Sequence, residues 1–123
     1  MDCLFCKIAS GDIPSKVIYE DDIVRVIMDI NPNSNGHSLI IPKVHITDFE
    51  DMDEITLNHV NNASKIVKKR IYEALNPDGL VLTVNYGIVQ EIKHYHLHLI
   101  PVYENKEGLV DIDEVYEQII KTV

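Results

Sequence analysis

The sequence predicts an α+β domain: a five-stranded antiparallel sheet with one long helix and a C-terminal helix. Three observations carry that prediction. Short runs rich in β-branched and aromatic residues are joined by tight turns, as in hairpins. One long stretch ending at residue 75 repeats its apolar residues every three or four positions. The helical stretches stand apart from the strands instead of alternating with them one for one.

Taken in order, residues 17–20 (VIYE) and 23–28 (IVRVIM) are separated by Asp21 and Asp22 and read as the two strands of a hairpin. Residues 29–36 (DINPNSNG) form a loop rich in turn formers. HSLIIP, 37–42, is a third strand closed by Pro42. Acids at 51–54 supply caps for the long helix, whose core stripe is Val60, Ala63, Val67, Ile71 and Leu75. The turn residues at 76–79 (NPDG) stop it. LVLTVN, 80–85, is the fourth strand and HYHLHLIP, 94–101, the fifth. Asp111 to Glu114 resembles a capping box that opens a C-terminal helix running to about Lys121.

A chain of 123 residues is expected to form one domain over 1–123. Its net charge of −9 argues against nucleic acid and anionic membrane as partners, since both want a basic surface. A small anionic ligand needs only a local set of donors and stays allowed. No run reaches membrane-spanning length, and MDCLFCKIASGD has no signal-peptide pattern. The two cysteines lie three residues apart, so a disulfide between them would close a tiny loop; a reducing, cytoplasmic setting is expected.

Chemistry concentrates in KHYHLHLIP, residues 93–101, with histidines at 94, 96 and 98. On a strand, side chains two apart share a face, so the three imidazoles line up opposite Tyr95, Leu97 and Leu99. Neighbours in the triplet then sit roughly 7 Å apart and the outer pair roughly 13 Å. Zinc takes nitrogen at about 2.0–2.1 Å. Two of the rings can converge on one ion, whereas His94 and His98 cannot. Cys3 and Cys6 form a C-x-x-C that two remote histidines could complete into a tetrahedral zinc site. A redox pair and two unligated buried thiols are the other readings. His37 and His45 flank the third strand, too far apart along it to serve one ion together, and His59 falls on a solvated helix face.

These residues resemble the histidine triad (HIT) family. The run from His94 to Ile100 is similar to its His-φ-His-φ-His-φ-φ signature. The opening CLFCKI resembles the zinc-containing, Hint-like branch. IPSKVIYEDD at 13–22, MDINP at 28–32 and GHSLIIPKVH at 36–45 follow in the family's order and spacing.

The resemblance implies a HIT-like α+β fold whose sheet is extended across a homodimer. It implies a nucleotide hydrolase or nucleotidyl transferase attacking the α-phosphorus of a nucleoside phosphoramidate or dinucleoside polyphosphate, with a small purine nucleotide as its partner. The runner-up is a nucleotide-binding module with little turnover. His96 matches the family nucleophile, which would pass through a nucleotidyl-histidine intermediate. His98 and His37 fall near the phosphate. Cys3, Cys6, His45 and His94 match the ligands of a zinc that is structural, since four protein ligands leave no open position. Asp29 matches the acid that holds the ribose hydroxyls. Leu4, Phe5, Ile8, Ile27, Ile30 and Leu39 match the apolar walls around the base.

One segment departs from the family pattern. The run before the triad, Asn85 to Lys93, is two residues short and lacks the second glycine. It puts Glu91 where a small hydroxyl normally meets the phosphate. Gln90 aligns without a gap at a leaving-group contact, and Asn85 aligns across one.

Overall fold

The computed structural model describes residues 3–90, 92–105 and 108–121. Its strands are β1 (Val17–Glu20), β2 (Val24–Met28), β3 (Ser38–Pro42), β4 (Gly79–Thr83) and β5 (Leu97–Val102). The helices are α1 (Leu4–Ser10), α2 (Glu54–Leu75) and α3 (Ile112–Ile120). The sheet has the order β1-β2-β3-β5-β4, and every neighbouring pair is antiparallel. This is the five-stranded α+β sheet the sequence predicts.

Alternation along the strands sorts side chains onto two faces. Val24, Val26, Met28, Ile40 and Leu99 meet α2 through Val60, Ala63, Val67 and Ile71, and α3 adds Val115 and Ile119. Ile27, Leu39 and Ile41 point the other way, against Phe5, Ile8 and Ala9 of α1. Being covered on both faces, β3 is buried at all five positions, which explains why its sequence is a continuous apolar run. The caps are local. Asp53 accepts the Thr56 N–H to open α2, and Asn76 ends it in the left-handed region at φ 47°. Asp111 accepts the Asp113 N–H to open α3.

Gly36 turns the chain into β3 at φ +95°, and a Cβ there would lie 2.6 Å from Leu75 Cδ1 and 3.2 Å from Pro101 Cγ. Gly36→Ala therefore combines left-handed strain with overpacking. It is expected to cost about 2–4 kcal/mol in urea denaturation; an unchanged midpoint would show that the loop relaxes freely.

Two expectations are corrected. The N-terminal segment forms a helix, α1, where the sequence reading assigned none. The fifth strand begins at Leu97, three residues later than predicted, so of the triad only His98 lies on it. The physical reason is that residues 92–96 spend their backbone groups elsewhere: Tyr95 N–H donates to Ile46 O at 2.6 Å and His94 N–H to Ile92 O at 2.8 Å. His94 and His96 are thus placed by a bend and not by the pleat.

Candidate active site and metal centre

Below the sheet, α1 starts with an unusual cap. Cys3 is its N-cap residue, and its Sγ accepts the Cys6 N–H at 3.4 Å. One turn of helix thereby puts both sulfurs on the side facing His45 and His94. At the other end Arg25 Nη1 donates to Ile8 O at 2.8 Å while Glu20 holds the same guanidinium at 2.7 Å, fastening α1 to the sheet.

Cys6 Sγ lies 3.2 Å from His45 Nδ1 and 3.4 Å from His94 Nδ1, and Cys3 Sγ lies 3.4 Å from His94 Nδ1. All four donor atoms fall within 4.8 Å of one another. Ligands of a tetrahedral zinc are about 3.3–3.8 Å apart for bonds of 2.0–2.3 Å, so the set fits that ion. The His94 tautomer fits too: its Nε2–H donates to Pro42 O at 2.8 Å, leaving the Nδ1 lone pair for a ligand bond. Burial, which lowers the proton affinity of His94, keeps that ring neutral. Burial, then the neighbouring Cys3 thiol, raise the Cys6 thiol to about 11, so its thiolate needs a cation beside it. His94 shares no such cluster with His96 or His98 among the described residues.

A second group forms on the other side of His96. Asn33 N–H donates to His37 Nδ1 at 3.0 Å. A neutral His37 must then carry its proton on Nε2, which lies 2.9 Å from His98 Nδ1 and 3.5 Å from Asp29 Oδ2. The chain of bonds fixes His98 as well: Nδ1 accepts, so Nε2 holds the proton, and that buried N–H has no partner among the described residues. Asp29, His37 and His98 are close enough to suggest a second metal cluster. The Asn33 donor argues against one, because it occupies the Nδ1 lone pair and forces the proton onto the atom that would have to ligate.

Burial first, then His96 and His37, lower His98 from 6.5 to about 4, and burial lowers His37 in the same direction. A base whose folded value is depressed loses stability as pH falls, because the unfolded chain takes the proton first. Stability should drop from about pH 6.5 down to about 4, by at most about 1.4 kcal/mol per pH unit for one histidine. His98→Asn should flatten that slope in urea titrations across this range; an equal slope in both proteins would remove His98 from the cause.

Between the two groups sits His96. Its Nδ1–H donates to His94 O at 2.7 Å, which leaves the lone pair on Nε2. Phe5 packs edge-on against the ring at 4.8 Å, and the His98 ring lies 4.9 Å away. His96, His98 and His37 line one cavity of about 620 Å³. Leu4, Phe5 and Ile8 of α1, with Ile27 of β2 and Leu39 of β3, form its apolar wall. Asp29, Ile30 and Asn85 line it from the loops. Asp29 is the one carboxylate on that lining, and no Lys or Arg joins it among the described residues.

Gln90 is the sequence-derived site residue that does not join the cavity. It is buried, and its Nε2 donates to Thr47 O at 3.3 Å, because the shortened run folds into a single 3₁₀ turn at Gly87–Val89 just before it. Glu91 lies outside the described residues. Besides the apolar Ile13, Pro14, Met28 and Val89, the sequence reading missed Ser15, Asn31, Asn33 and Ile92 on the lining. The turn-rich 29–36 loop was the signal for the two asparagines; Ser15 and Ile92 carried none. His59, read as solvated, is half-exposed and bonds Asp21 Oδ2 through Nδ1 at 3.0 Å.

A family model described as HIT domain matches residues 10–105. An uncharacterised HIT-like protein of Methanocaldococcus jannaschii is 40% identical over 95% of this chain and 98% of its own length. An adenosine 5′-monophosphoramidase of Saccharomyces cerevisiae is 36% identical over 88% of this chain and 67% of its own. Among solved structures, a zinc-bound histidine triad family protein from Mycobacterium smegmatis superposes with a TM-score of 0.85 at 33% identity, covering 98% of this chain and 92% of the other.

Proposed function

The chain belongs to the HIT domain family, and from that premise we propose that it is a nucleotide hydrolase working at phosphorus through His96. The observation that carries this reading is the His96 tautomer. With Nδ1–H committed to His94 O, the nucleophilic lone pair of Nε2 belongs to a ring on the cavity wall.

The substrate is a nucleoside phosphoramidate or dinucleoside polyphosphate, attacked at the α-phosphorus. Nε2 forms the N–P bond as the bond to the leaving group breaks, and the leaving group takes the electron pair and a proton from water. The ring becomes an imidazolium whose charge strengthens the Nδ1–H bond to the His94 carbonyl. Water then displaces His96 from phosphorus, its proton neutralising the hydroxide left when the leaving group was protonated, and the ring departs neutral, so one difficult displacement becomes two easier ones. The His98 N–H, without a partner among the described residues, suits a phosphoryl oxygen, held in that tautomer by His37 and Asn33. Asp29 keeps Oδ1 on the Asn31 N–H at 2.9 Å and offers Oδ2 to the ribose. The wall from Leu4 to Leu39 takes the base, a purine.

Cys3, Cys6, His45 and His94 hold a structural zinc in this reading, supported by the donor set and by the zinc-bound relative. Such an ion would join the N-terminus of α1 to the triad segment. We extend the proposal to a single domain over 1–123, a cytoplasmic location and a homodimer. The exposed edge strand β4, with Val81 and Leu82 uncovered, supports the last. No helix among the described residues is long and apolar enough to cross a membrane.

The withdrawal of Gln90 from the cavity favours a second reading, a nucleotide-binding module with little turnover. A quench experiment separates the two. Mixing the protein with adenosine 5′-phosphoramidate and stopping within the first turnover should yield AMP linked to His96 in the mass spectrum. Tight mononucleotide binding with no adduct and no burst of AMP would favour the module.

A further inference from the structure

We infer that the Cys–His cluster is a positioning device for His96, acting through the main-chain carbonyl of His94, and not only a staple for the N-terminus. The inference rests on the assignment of His96 as nucleophile and goes beyond the structural part given to the cluster.

One residue serves both centres. The side chain of His94 is fully buried and fixed by Pro42 O at Nε2, by both cysteine sulfurs near Nδ1, and by the rings of His45 at 5.1 Å and Phe5 at 6.1 Å. Its carbonyl accepts the Nδ1–H of His96. In a regular strand that carbonyl would be aimed by the ladder. Here β5 begins only at Leu97, and among the described residues no strand partner aims the peptide that follows His94. What aims it is the anchored ring of the same residue, together with the Tyr95 N–H on Ile46 O.

The carbonyl decides which His96 nitrogen carries the proton. Aimed as it is, it keeps the proton on Nδ1 and the lone pair on Nε2. Displaced by a fraction of an ångström or rotated, it frees the ring to hold its proton on Nε2, the form that cannot attack. Cluster integrity therefore sets the fraction of nucleophile in the reactive tautomer, while Asp29, Ile27 and Leu39, placed by β2, β3 and the loop between them instead of by the cluster, keep their hold on the nucleotide. Phe5 adds a second link, since it sits between the two cysteines in sequence and packs against both His94 and His96.

The test compares the zinc-loaded chain with the same chain stripped by a chelator, using two readouts. Ring ¹⁵N resonances of His96 report its tautomer, and steady-state kinetics on adenosine 5′-phosphoramidate separate kcat from KM. Stripping is expected to move His96 from a single Nδ1–H form to a mixture with Nε2–H. It should lower kcat by about 10²-fold, the scale of a small misplacement, with KM changed by less than about threefold. An unchanged His96 tautomer, or a loss carried equally by KM, overturns the inference. Should the stripped chain lose its dispersed amide spectrum, a cadmium-loaded chain replaces it. The longer bonds of the larger ion displace the His94 ring within an intact fold, and the same two readouts decide. His96→Ala run alongside keeps the two ideas distinct: turnover surviving there defeats the nucleophile assignment itself, whatever the metal does.

Discussion

His96→Ala is expected to lose turnover of a nucleoside phosphoramidate by about 10⁴-fold or more, a loss on the scale seen when a covalent nucleophile is removed. The loss should fall on kcat. The nucleotide contacts we propose lie with Asp29 and the α1, β2 and β3 wall, which the substitution leaves in place. Folding should survive: among the described residues the deleted ring makes one hydrogen bond, to His94 O, and packs against Phe5 and His98 at the cavity edge, not inside the α2 core. The measurement is AMP release with matched thermal melts. Equal release by both folded proteins would take the reaction away from His96, and neither His98, whose Nδ1 is occupied, nor His37, whose two ring nitrogens are both engaged, could replace it without changing partners.

The second large effect belongs to the cluster. Wild-type protein is expected to carry about one zinc per chain, and Cys3→Ser to lose nearly all of it with more than about 4 kcal/mol of stability. Cys3 sits at three junctions: it caps α1, approaches His94 Nδ1, and belongs to the small core with Phe5, Ile8, Ile27, Leu39 and Ile41. Serine can still cap, so the loss reads out ligation and not helix propensity. Metal analysis with melts in the presence and absence of added zinc checks it, and full occupancy in the variant would defeat the ligand set.

The hairpin, β3 and α2 were legible because each announces itself locally: β-branched runs bounded by aspartates, and a stripe repeating every three to four residues. Helix α1 was missed although Phe5, Ile8 and Ala9 carry the right spacing, because seven residues give one repeat of the pattern and cysteine is a poor sign of a cap. The late start of β5 was illegible for a different reason. Alternation at 94, 96 and 98 is what a strand would show, yet the Tyr95 and His94 amides are claimed by Ile46 and Ile92, one of them far away in sequence. The residues that the family likeness singles out for phosphate and nucleotide lie together on one cavity, except Gln90. What the sequence could not convey is proton placement, since the Asn33, Pro42 and His94 backbone groups that fix the tautomers carry no side-chain signal.

The lining of the cavity has a kinetic consequence. A phosphate entering a chain of net charge −9 meets Asp29 and three histidines, with no Lys or Arg among the described lining residues to draw it in. Capture then works against the long-range field, so ionic strength should act in the sense opposite to that of steered enzymes. Raising salt from about 0.01 to 0.15 M shortens the Debye length from about 30 to 8 Å and screens the repulsion. The rate of encounter, read as kcat/KM, is expected to rise with added salt.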